Sequence, residues 1–226
     1  MQGWAEYVAL PSRDVAAIPD AISDDDAATL PVAALTALYA LERCERLLGS
    51  GVLVTGASGG VGYFACQLAR LMGANVTALL RRTDHQSAVE ATGAKVVISS
   101  DGLGLTDVGP FRAIIDGVGG DTLGALLTRL EPSGRAIVYG VSGGADATIP
   151  VRDLMFTGDG RIDGFHLYRE SEFESASRGL TRLLALLESG RLTTLVGVTG
   201  DWSKVGATAA QLIGRNYPGK AVLRIS

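Results

Sequence analysis

Apolar residues in the central part of the chain follow two alternating patterns. Short continuous apolar runs occupy residues 52–55, 75–81, 95–99, 111–118, 134–141 and 161–168. Segments with helical spacing lie between them, at residues 59–73, 85–92 and 121–132. Continuous apolar runs are typical of strands covered on both faces, and their alternation with helices is typical of a parallel sheet. We therefore predict an α/β fold with a doubly wound parallel sheet of the Rossmann kind.

Both ends of the chain depart from this alternation. Residues 4–11, "WAEYVALP", alternate large and small side chains and stop at Pro11, which predicts a strand of some other sheet. Ser23 as an N-cap and Pro31 at a helix start predict two helices before residue 51. Further on, the spacing predicts helices at 171–192 and 205–215, then a terminal strand at 219–226 that belongs to a different sheet.

Composition narrows the class of protein. The chain has 226 residues, of which 47% are hydrophobic and 19% charged, as in a compact globular protein. Its net charge of -4 argues against a nucleic-acid partner, and no apolar run is long enough to cross a membrane. Cys44 and Cys66 match no metal or redox spacing. We expect a cytoplasmic protein with a small-molecule substrate.

The stretch "TGASGGVG", residues 55–62, joins the first predicted strand to the helix after it. Phosphate binding at such a turn needs close approach of the backbone and free N–H groups at the positive end of a helix dipole. Gly59 permits the close approach, and Gly62 lets the helix pack closely on the strand. This context predicts a dinucleotide site, and the weaker alternative is a turn that is merely tight.

The end of the second predicted strand indicates which dinucleotide binds. An acidic residue there would accept hydrogen bonds from the adenosine 2′-hydroxyl, whereas a cation would pair with a 2′-phosphate. This chain has Arg81 and Arg82 at that position, and guanidinium groups suit a phosphate dianion. The pattern favours NADPH over NADH. The alternative is a solvated arginine pair, because Asp84 lies close by in sequence.

The same turn allows a second interpretation. Written as Thr-Gly-x-x-x-Gly-x-Gly, it resembles the turn of the short-chain dehydrogenases, which need a Tyr-x-x-x-Lys pair further along. No tyrosine of this chain has a lysine four residues later, and Tyr217 and Lys220 are one residue too close. Residues 1–50 also precede the glycine strand, which that family places almost at its start. We reject this interpretation.

Much more of the chain supports another family. The quoted turn as Ala-x-Gly-x-x-Gly, the stretch "DGVGGDTLGALLTRLEPSGRAIVYGV" and the closing "GKAVLRI" together resemble the medium-chain dehydrogenases/reductases. The resemblance runs in colinear order from Gly3 to Ile225. Within that family, the chain resembles the zinc-independent quinone oxidoreductases and enoyl reductases.

The resemblance implies three segments. Residues 1–29 resemble the end of a GroES-like catalytic lobe, residues 30–165 the NADP(H)-binding Rossmann domain, and residues 166–226 the return to the catalytic lobe. Most of the N-terminal lobe, which carries many substrate contacts in the family, has no counterpart in this sequence. Whether Met1 begins the protein or is the edge of a fragment stays open at this point.

The resemblance also implies a set of cofactor contacts at the glycine turn, at the arginine pair and at the strand ends where parallel sheets bind ligands. The expected contacts are Thr36 near the nicotinamide; Gly59, Gly60 and Val61 at the pyrophosphate; Arg81 and Arg82 at the 2′-phosphate; and Gly117, Val118, Tyr139, Gly140 and Val141 along the adenosine and nicotinamide. Ser99 and Ser100 stand where many relatives keep a tyrosine, so the sequence departs from the family there.

Metal and proton-transfer groups are less evident. Zinc-dependent relatives carry a cysteine ligand just before the cofactor domain, and Val32 stands at the matching position. Valine cannot coordinate zinc, so we expect no catalytic metal. His166 and Tyr168 are the titratable pair considered as proton donors, but we favour a structural role for both, and the proton donor stays unknown.

The implied function is hydride transfer from NADPH to a quinone or an activated alkene, for which the protein supplies position and a dry site. The alternative is a non-catalytic or non-redox NADP(H)-binding module that acts as a partner or in a biosynthetic pathway. Relatives dimerise through the edge strands of their cofactor sheets, so we expect a homodimer through residues 161–168. A second chain that covers the surface left by the missing lobe is a further expectation.

Overall fold

The structure is a computed structural model that describes residues 5–99 and 108–225. Predictions that fall on Trp4, Ser100 and Ser226 lie outside these residues. In the described part of the chain, no helix combines the length and the apolar character needed to cross a membrane.

Six parallel strands form the central sheet. They are β1 (Gly51–Thr55), β2 (Asn75–Leu80), β3 (Lys95–Ile98), β4 (Phe111–Asp116), β5 (Leu130–Val138) and β6 (Arg161–Gly164). Their order is β3-β2-β1-β4-β5-β6, and every neighbouring pair is parallel. The order reverses between β1 and β4, as in the doubly wound dinucleotide fold. The predicted fold class is confirmed.

Helices connect and cover these strands. They are α1 (Asp24–Ala27), α2 (Leu35–Glu42), α3 (Gly60–Leu71), α4 (Gln86–Glu90), α5 (Gly120–Leu127), α6 (Val151–Phe156), α7 (Leu167–Glu170), α8 (Ala176–Glu188) and α9 (Val205–Ile213). The Ser23 hydroxyl accepts from the Asp26 amide at the start of α1, so the predicted N-cap is confirmed. A π-helical turn at Leu30–Ala34 contains Pro31 and leads into α2.

Alternating side chains of each strand enter two separate apolar cores. Val52 and Val54 of β1 face the core that contains α2, α3 and α8, whereas Leu53 faces the core that contains α5. All three side chains are fully buried. Because successive residues of a strand point to opposite faces, a sheet covered on both faces requires this continuous apolar run.

A second, two-stranded sheet lies near the glycine turn. β7 (Val196–Asp201) pairs in parallel with β8 (Lys220–Arg224), and the Gly219 amide donates to the Ser58 carbonyl oxygen at 2.9 Å. The prediction that the terminal strand belongs to a different sheet is confirmed. Its partner β7 was not predicted, because Gly197 and Gly200 interrupt the apolar alternation that marks a strand.

The predicted strand at residues 4–11 is wrong for the residues that the structure describes. Residues 5–11 form no strand, and Tyr7 is 91% exposed. A single strand leaves its backbone donors and acceptors unpaired, so it forms only where a neighbouring strand accepts it. In the described chain, β7 and β8 pair with each other and not with this segment.

Two boundaries also differ from the prediction. The helix predicted at 121–132 ends at Leu127, and β5 already begins at Leu130, because Pro132 cannot continue a helix and Leu130 pairs with Phe111. The strand predicted at 161–168 ends at Gly164, and its last two residues belong instead to the short helix α7.

Candidate functional site

A cleft of about 320 Å³ opens at the carboxyl ends of β1, β2 and β4. Ligands of open α/β sheets bind at this edge, where the strand order reverses. The glycine turn, the end of β2 and the segment before β8 supply most of its walls. The lining residues are Thr55, Gly56, Ser58, Gly59, Gly60, Leu79, Leu80, Arg81, Arg82, Asp84, His85, Ser99, Val118, Thr122, Ser142, Leu212, Arg215, Tyr217 and Gly219.

The glycine turn brings the first amides of α3 to this cleft. Gly56 has φ 60°, a left-handed conformation that favours glycine, and its carbonyl oxygen accepts from the Gly59 amide at 2.9 Å. A Cβ on Gly62 would lie 2.4 Å from the Gly56 oxygen, so only glycine fits there. The N-terminus of a twelve-residue helix therefore faces the cleft, as anion binding at a strand-to-helix turn requires.

A buried carboxylate holds the loop after β4 in place. Asp116 is fully buried, and it accepts hydrogen bonds from the Thr55 hydroxyl at 2.6 Å and from the Gly119 amide at 2.8 Å. The Thr55 oxygen in turn accepts from the Gly117 amide at 3.0 Å. Burial raises the pKa of the Asp116 carboxyl, and these hydrogen bonds oppose that rise. Asp116 was missed from sequence, although an acid that ends an apolar strand before "GVGG" is a signal that could have identified it.

Both arginines of the predicted pair line the cleft beyond β2. Arg82 forms an ion pair with Asp84 at 3.1 Å, and both side chains are more than half exposed. The sequence left open whether Asp84 would form an ion pair with one of these arginines. In the structure it does so with Arg82. An exposed pair of this kind contributes little to stability, so it can open when a phosphate competes.

The C-terminal segment contributes a third arginine that was not predicted. Arg215 follows α9, lines the same cleft, and donates from Nη2 to the Ser142 carbonyl oxygen at 2.6 Å. Tyr217 lies beside it in the cleft wall, and burial raises the pKa of its hydroxyl. Arg215 lies 133 residues after Arg82 in the chain. Local pattern alone carries no signal that the two come together.

The predicted contacts divide into three groups by position. Those that line the cleft are Gly59, Gly60, Arg81, Arg82 and Val118. A second group lies just behind the lining: a Cβ on Gly117 would strike the Tyr139 ring, and a Cβ on Gly140 would lie 2.9 Å from the Gly117 oxygen. The Tyr139 hydroxyl donates to the Thr55 carbonyl oxygen at 3.5 Å, and burial raises the Tyr139 pKa, so this hydroxyl stays protonated.

The third group lies away from the cleft lining. Thr36 is only 6% exposed within α2, Val61 packs against the apolar core, and Val141 is 56% exposed. None of these three side chains lines the cleft. Their assignment as cofactor contacts stays a prediction.

The residues considered for proton transfer and for zinc also lie outside the cleft lining. The His166 and Tyr168 rings contact each other with centroids 5.5 Å apart, beyond the end of β6. Val32 is 52% exposed, and within residues 5–99 and 108–225 no group of three or more His, Cys, Asp or Glu is arranged to hold a metal ion. The prediction that the protein works without catalytic zinc stays a prediction.

Comparisons with known proteins agree with this architecture. The family model described as zinc-binding dehydrogenase matches residues 60–182. Human quinone oxidoreductase is 30% identical over 98% of this chain, and bovine quinone oxidoreductase-like protein 2 is 28% identical over 99%. A thermostable alcohol dehydrogenase from Pyrobaculum aerophilum superposes with a TM-score of 0.80 over 95% of the chain at 26% identity. The chain spans 69%, 67% and 62% of these three proteins, respectively.

The fold and the cleft define the general class, a doubly wound α/β protein with a nucleotide-type cleft at its topological switch point. Within that class, the chain belongs to the medium-chain dehydrogenase/reductase family, whose zinc-binding dehydrogenase model matches more than half of it.

Proposed function

We propose that the chain binds NADPH in the cleft at the carboxyl ends of β1, β2 and β4 and is an oxidoreductase that acts on a quinone or an activated alkene. The observation that carries this proposal is the common cleft. The N-terminus of α3 and the guanidinium groups of Arg81, Arg82 and Arg215 all border one space of about 320 Å³. A helix N-terminus with separate cations suits a ligand that carries both a pyrophosphate and a second phosphate.

The residues that would hold such a ligand have distinct tasks. The glycine turn at Gly59 and Gly60 would lie against the pyrophosphate, and the arginines would suit the 2′-phosphate. When bound, the nicotinamide would supply a hydride to an electron-poor carbon or quinone, followed by protonation of the oxygen that gains charge. Asp116 behind the lining and Thr55 within it hold the loop after β4.

The substrate class rests on similarity to a whole protein that is longer than this chain. Human quinone oxidoreductase is named for reduction of a quinone, and this chain spans 69% of its length at 30% identity. We propose the same reaction class, extended to activated alkenes.

We also propose that the chain is divided into a cofactor domain, residues 30–165, and two segments that belong with a catalytic lobe, residues 1–29 and 166–226. Support for this division comes from β7 and β8, which form a sheet separate from the central one.

Fluorescence titration with NADPH and NADH tests the cofactor assignment. Charge-assisted hydrogen bonds contribute about 1.5–3 kcal/mol each, so the loss of even one of them in Arg81→Ala/Arg82→Ala should lower the NADPH to NADH affinity ratio by at least roughly 10-fold. Arg191→Ala, an exposed arginine outside the cleft lining, is the matched control and should leave the ratio unchanged. An unchanged ratio in the double variant would show that the 2′-phosphate assignment is wrong.

Turnover is tested separately by mixing the protein with NADPH and a panel of quinones and enones and following the nicotinamide absorbance. Loss of absorbance with at least one acceptor is the expected result. Tight binding of NADPH without turnover on any acceptor would reject the oxidoreductase proposal and support a cofactor-binding module.

We also propose a homodimer through β6. Its support is an apolar surface at the edge of the sheet: Met155 and Phe156 of α6 are 74% and 77% exposed, and Ile162 of β6 is 36% exposed. Phe156→Lys should shift the sedimentation equilibrium toward monomer, whereas Tyr7→Lys, at another exposed aromatic, should not. A monomeric wild-type chain at micromolar concentration would reject this assembly. Exposed Tyr7 also supports a second protein chain that covers the N-terminal segment.

The proposed location is the cytoplasm. Cys44 and Cys66 are both free and buried, which suits a reducing compartment. Localisation of the tagged full-length protein in its own cell tests this proposal.

A further inference from the structure

A second cleft of about 250 Å³ lies at the amino ends of the central strands, opposite the first cleft at their carboxyl ends. It opens at the amino ends of β4, β5 and β6 and is closed by the loop that follows α2. Its lining shares no residue with the cleft at the carboxyl edge. The lining residues are Cys44, Glu45, Arg46, Arg112, Ser133, Arg135, Asp159 and Arg161.

Two of the four arginines are held in place by main-chain carbonyl oxygens. Arg112 donates from Nη1 to the Ser133 oxygen at 2.7 Å and from Nε to the Glu45 oxygen at 3.3 Å. Arg135 donates from Nη1 to the Arg43 oxygen. Carbonyl oxygens fix a guanidinium without neutralising it, so the rotamer entropy of both side chains is already lost before a ligand arrives.

Two of the four arginines also have an acidic partner. Arg112 lies 3.9 Å from a Glu131 oxygen and Arg135 lies 3.4 Å from an Asp163 oxygen, and both acids stand outside the lining. The Arg46 main-chain oxygen accepts from the Ser50 hydroxyl at 2.7 Å, but its guanidinium has no hydrogen bond or ion pair with any residue that the structure describes.

Arg161, at the first position of β6, resembles Arg46 because its guanidinium also forms no ion pair with a described residue. Both side chains are exposed, so neither depends on a partner for folding. With Glu131 and Asp163 counted beside Glu45 and Asp159, four carboxylates accompany the four guanidinium groups, but Arg46 and Arg161 form no ion pair with a described residue. Burial raises the pKa of the Cys44 thiol to about 12, so this group adds no opposing negative charge.

We propose that this cleft is a binding site for a phosphate dianion, carried either by free inorganic phosphate or by a small phosphate monoester. The guanidinium groups of Arg46 and Arg161, which form no ion pair with a described residue, supply two positive charges for one dianion. Guanidinium forks also match the geometry of phosphate oxygens. Because the site lies at the amino edge of the sheet, its occupant and a nucleotide at the carboxyl edge bind without contact.

Calorimetric titration of the full chain with inorganic phosphate tests this proposal. The experiment is run on the Arg81→Ala/Arg82→Ala/Arg215→Ala background as well as on the wild type, so that phosphate binding in the first cleft, at the carboxyl ends of the strands, is recognised separately. The test therefore stands whether or not NADPH binds. A signal that survives on this background at constant ionic strength is the expected result.

The decisive variant is Arg46→Ala/Arg161→Ala, because neither side chain has a described partner whose loss would disturb the fold. We expect at least a tenfold loss of phosphate affinity, with the Arg191→Ala control unchanged. Unchanged affinity in the double variant, or no phosphate binding by the wild type, overturns the proposal.

A parallel titration with glycerol 3-phosphate distinguishes the two sources of the anion. Tighter binding of the ester, again lost in Arg46→Ala/Arg161→Ala, identifies a phosphorylated small molecule. Tighter binding of inorganic phosphate identifies the free ion. Equal binding of both by the wild type and by the double variant would show only non-specific attraction and would reject the site.

Discussion

Close packing of the glycine turn on the first helix makes a strong prediction about Gly62. Substitution by alanine would put a Cβ 2.4 Å from the Gly56 oxygen and 2.6 Å from the Ala57 Cα. Both obstacles are backbone atoms of the same turn, so neither can move without moving β1 or α3. The turn and the helix must therefore separate to accommodate one methyl group.

The size of the effect follows from two opposing terms. Overpacking costs about 1–3 kcal/mol, and backbone overlap under 3 Å belongs at the upper end of that range. Alanine gains about 1 kcal/mol over glycine in a helix interior. We expect Gly62→Ala to lose about 2 kcal/mol of unfolding free energy, or about 4–8 °C in Tm for a chain of this size.

Gly60 provides a matched control at the first position of α3. Its added Cβ would lie 2.6 Å from Cδ of Lys220, a flexible side chain that can turn away. We expect Gly60→Ala to change the unfolding free energy by less than about 0.5 kcal/mol, since it does not touch the backbone. Urea unfolding of both variants measures this difference. Equal loss in the two, or full stability of Gly62→Ala, would refute the packing argument.

Three further predictions concern buried hydrogen bonds. Thr55→Val removes the donor to Asp116 and the acceptor for the Gly117 amide, and it should cost about 3 kcal/mol of unfolding free energy by urea titration, whereas Thr55→Ser should cost about 1. Burial raises the folded-state pKa of Asp116, so its contribution is fully present below the unfolded pKa and is lost as pH rises through the folded pKa. The stability of the wild type relative to Asp116→Asn should therefore fall as pH rises above the unfolded-state pKa of the carboxyl; a flat difference would contradict this. Tyr39→Phe removes a 2.8 Å hydrogen bond to the Ser175 oxygen and should lower Tm by about 2–4 °C by calorimetry; an unchanged Tm would show that this bond contributes nothing.

Sequence alone predicted the central sheet well because both of its faces are covered. A strand with helices on either side must be apolar at every position, and Val52, Leu53 and Val54 show this directly. The helices between such strands then follow from their spacing and from the glycines at their ends. This local pattern is clearest in β1, β2 and β4, which are buried along nearly their whole length.

The smaller sheet could not be predicted in the same way. Only one side of β7 packs inward, and Gly197 is needed because a Cβ there would lie 2.2 Å from the Pro218 oxygen. A glycine that permits close approach of another segment has the same appearance in sequence as a glycine in a loop. The strand predicted at residues 4–11 was wrong for a different reason. Residues 5–11 have strand-like alternation, but no described strand lies beside them to pair with.

The candidate site shows the same division between local and distant information. The glycine turn and Arg82 were found from sequence because strand, turn and helix follow one another directly. Arg215 was not, because its position depends on how β8 returns to the turn. The Gly219 amide donates to the Ser58 oxygen, and this contact holds the C-terminal segment against the cleft.

This return has an electrostatic consequence for the cleft. The positive charge of Arg82 is partly neutralised by its ion pair with Asp84. Arg215 donates to the neutral Ser142 carbonyl oxygen, so its charge is not neutralised there. A phosphate at the end of β2 must displace a carboxylate to reach Arg82, but it meets Arg215 without such competition. Arg215 therefore attracts an anion more strongly than Arg82 does. The cleft depends on the C-terminal segment for positive charge as well as for shape.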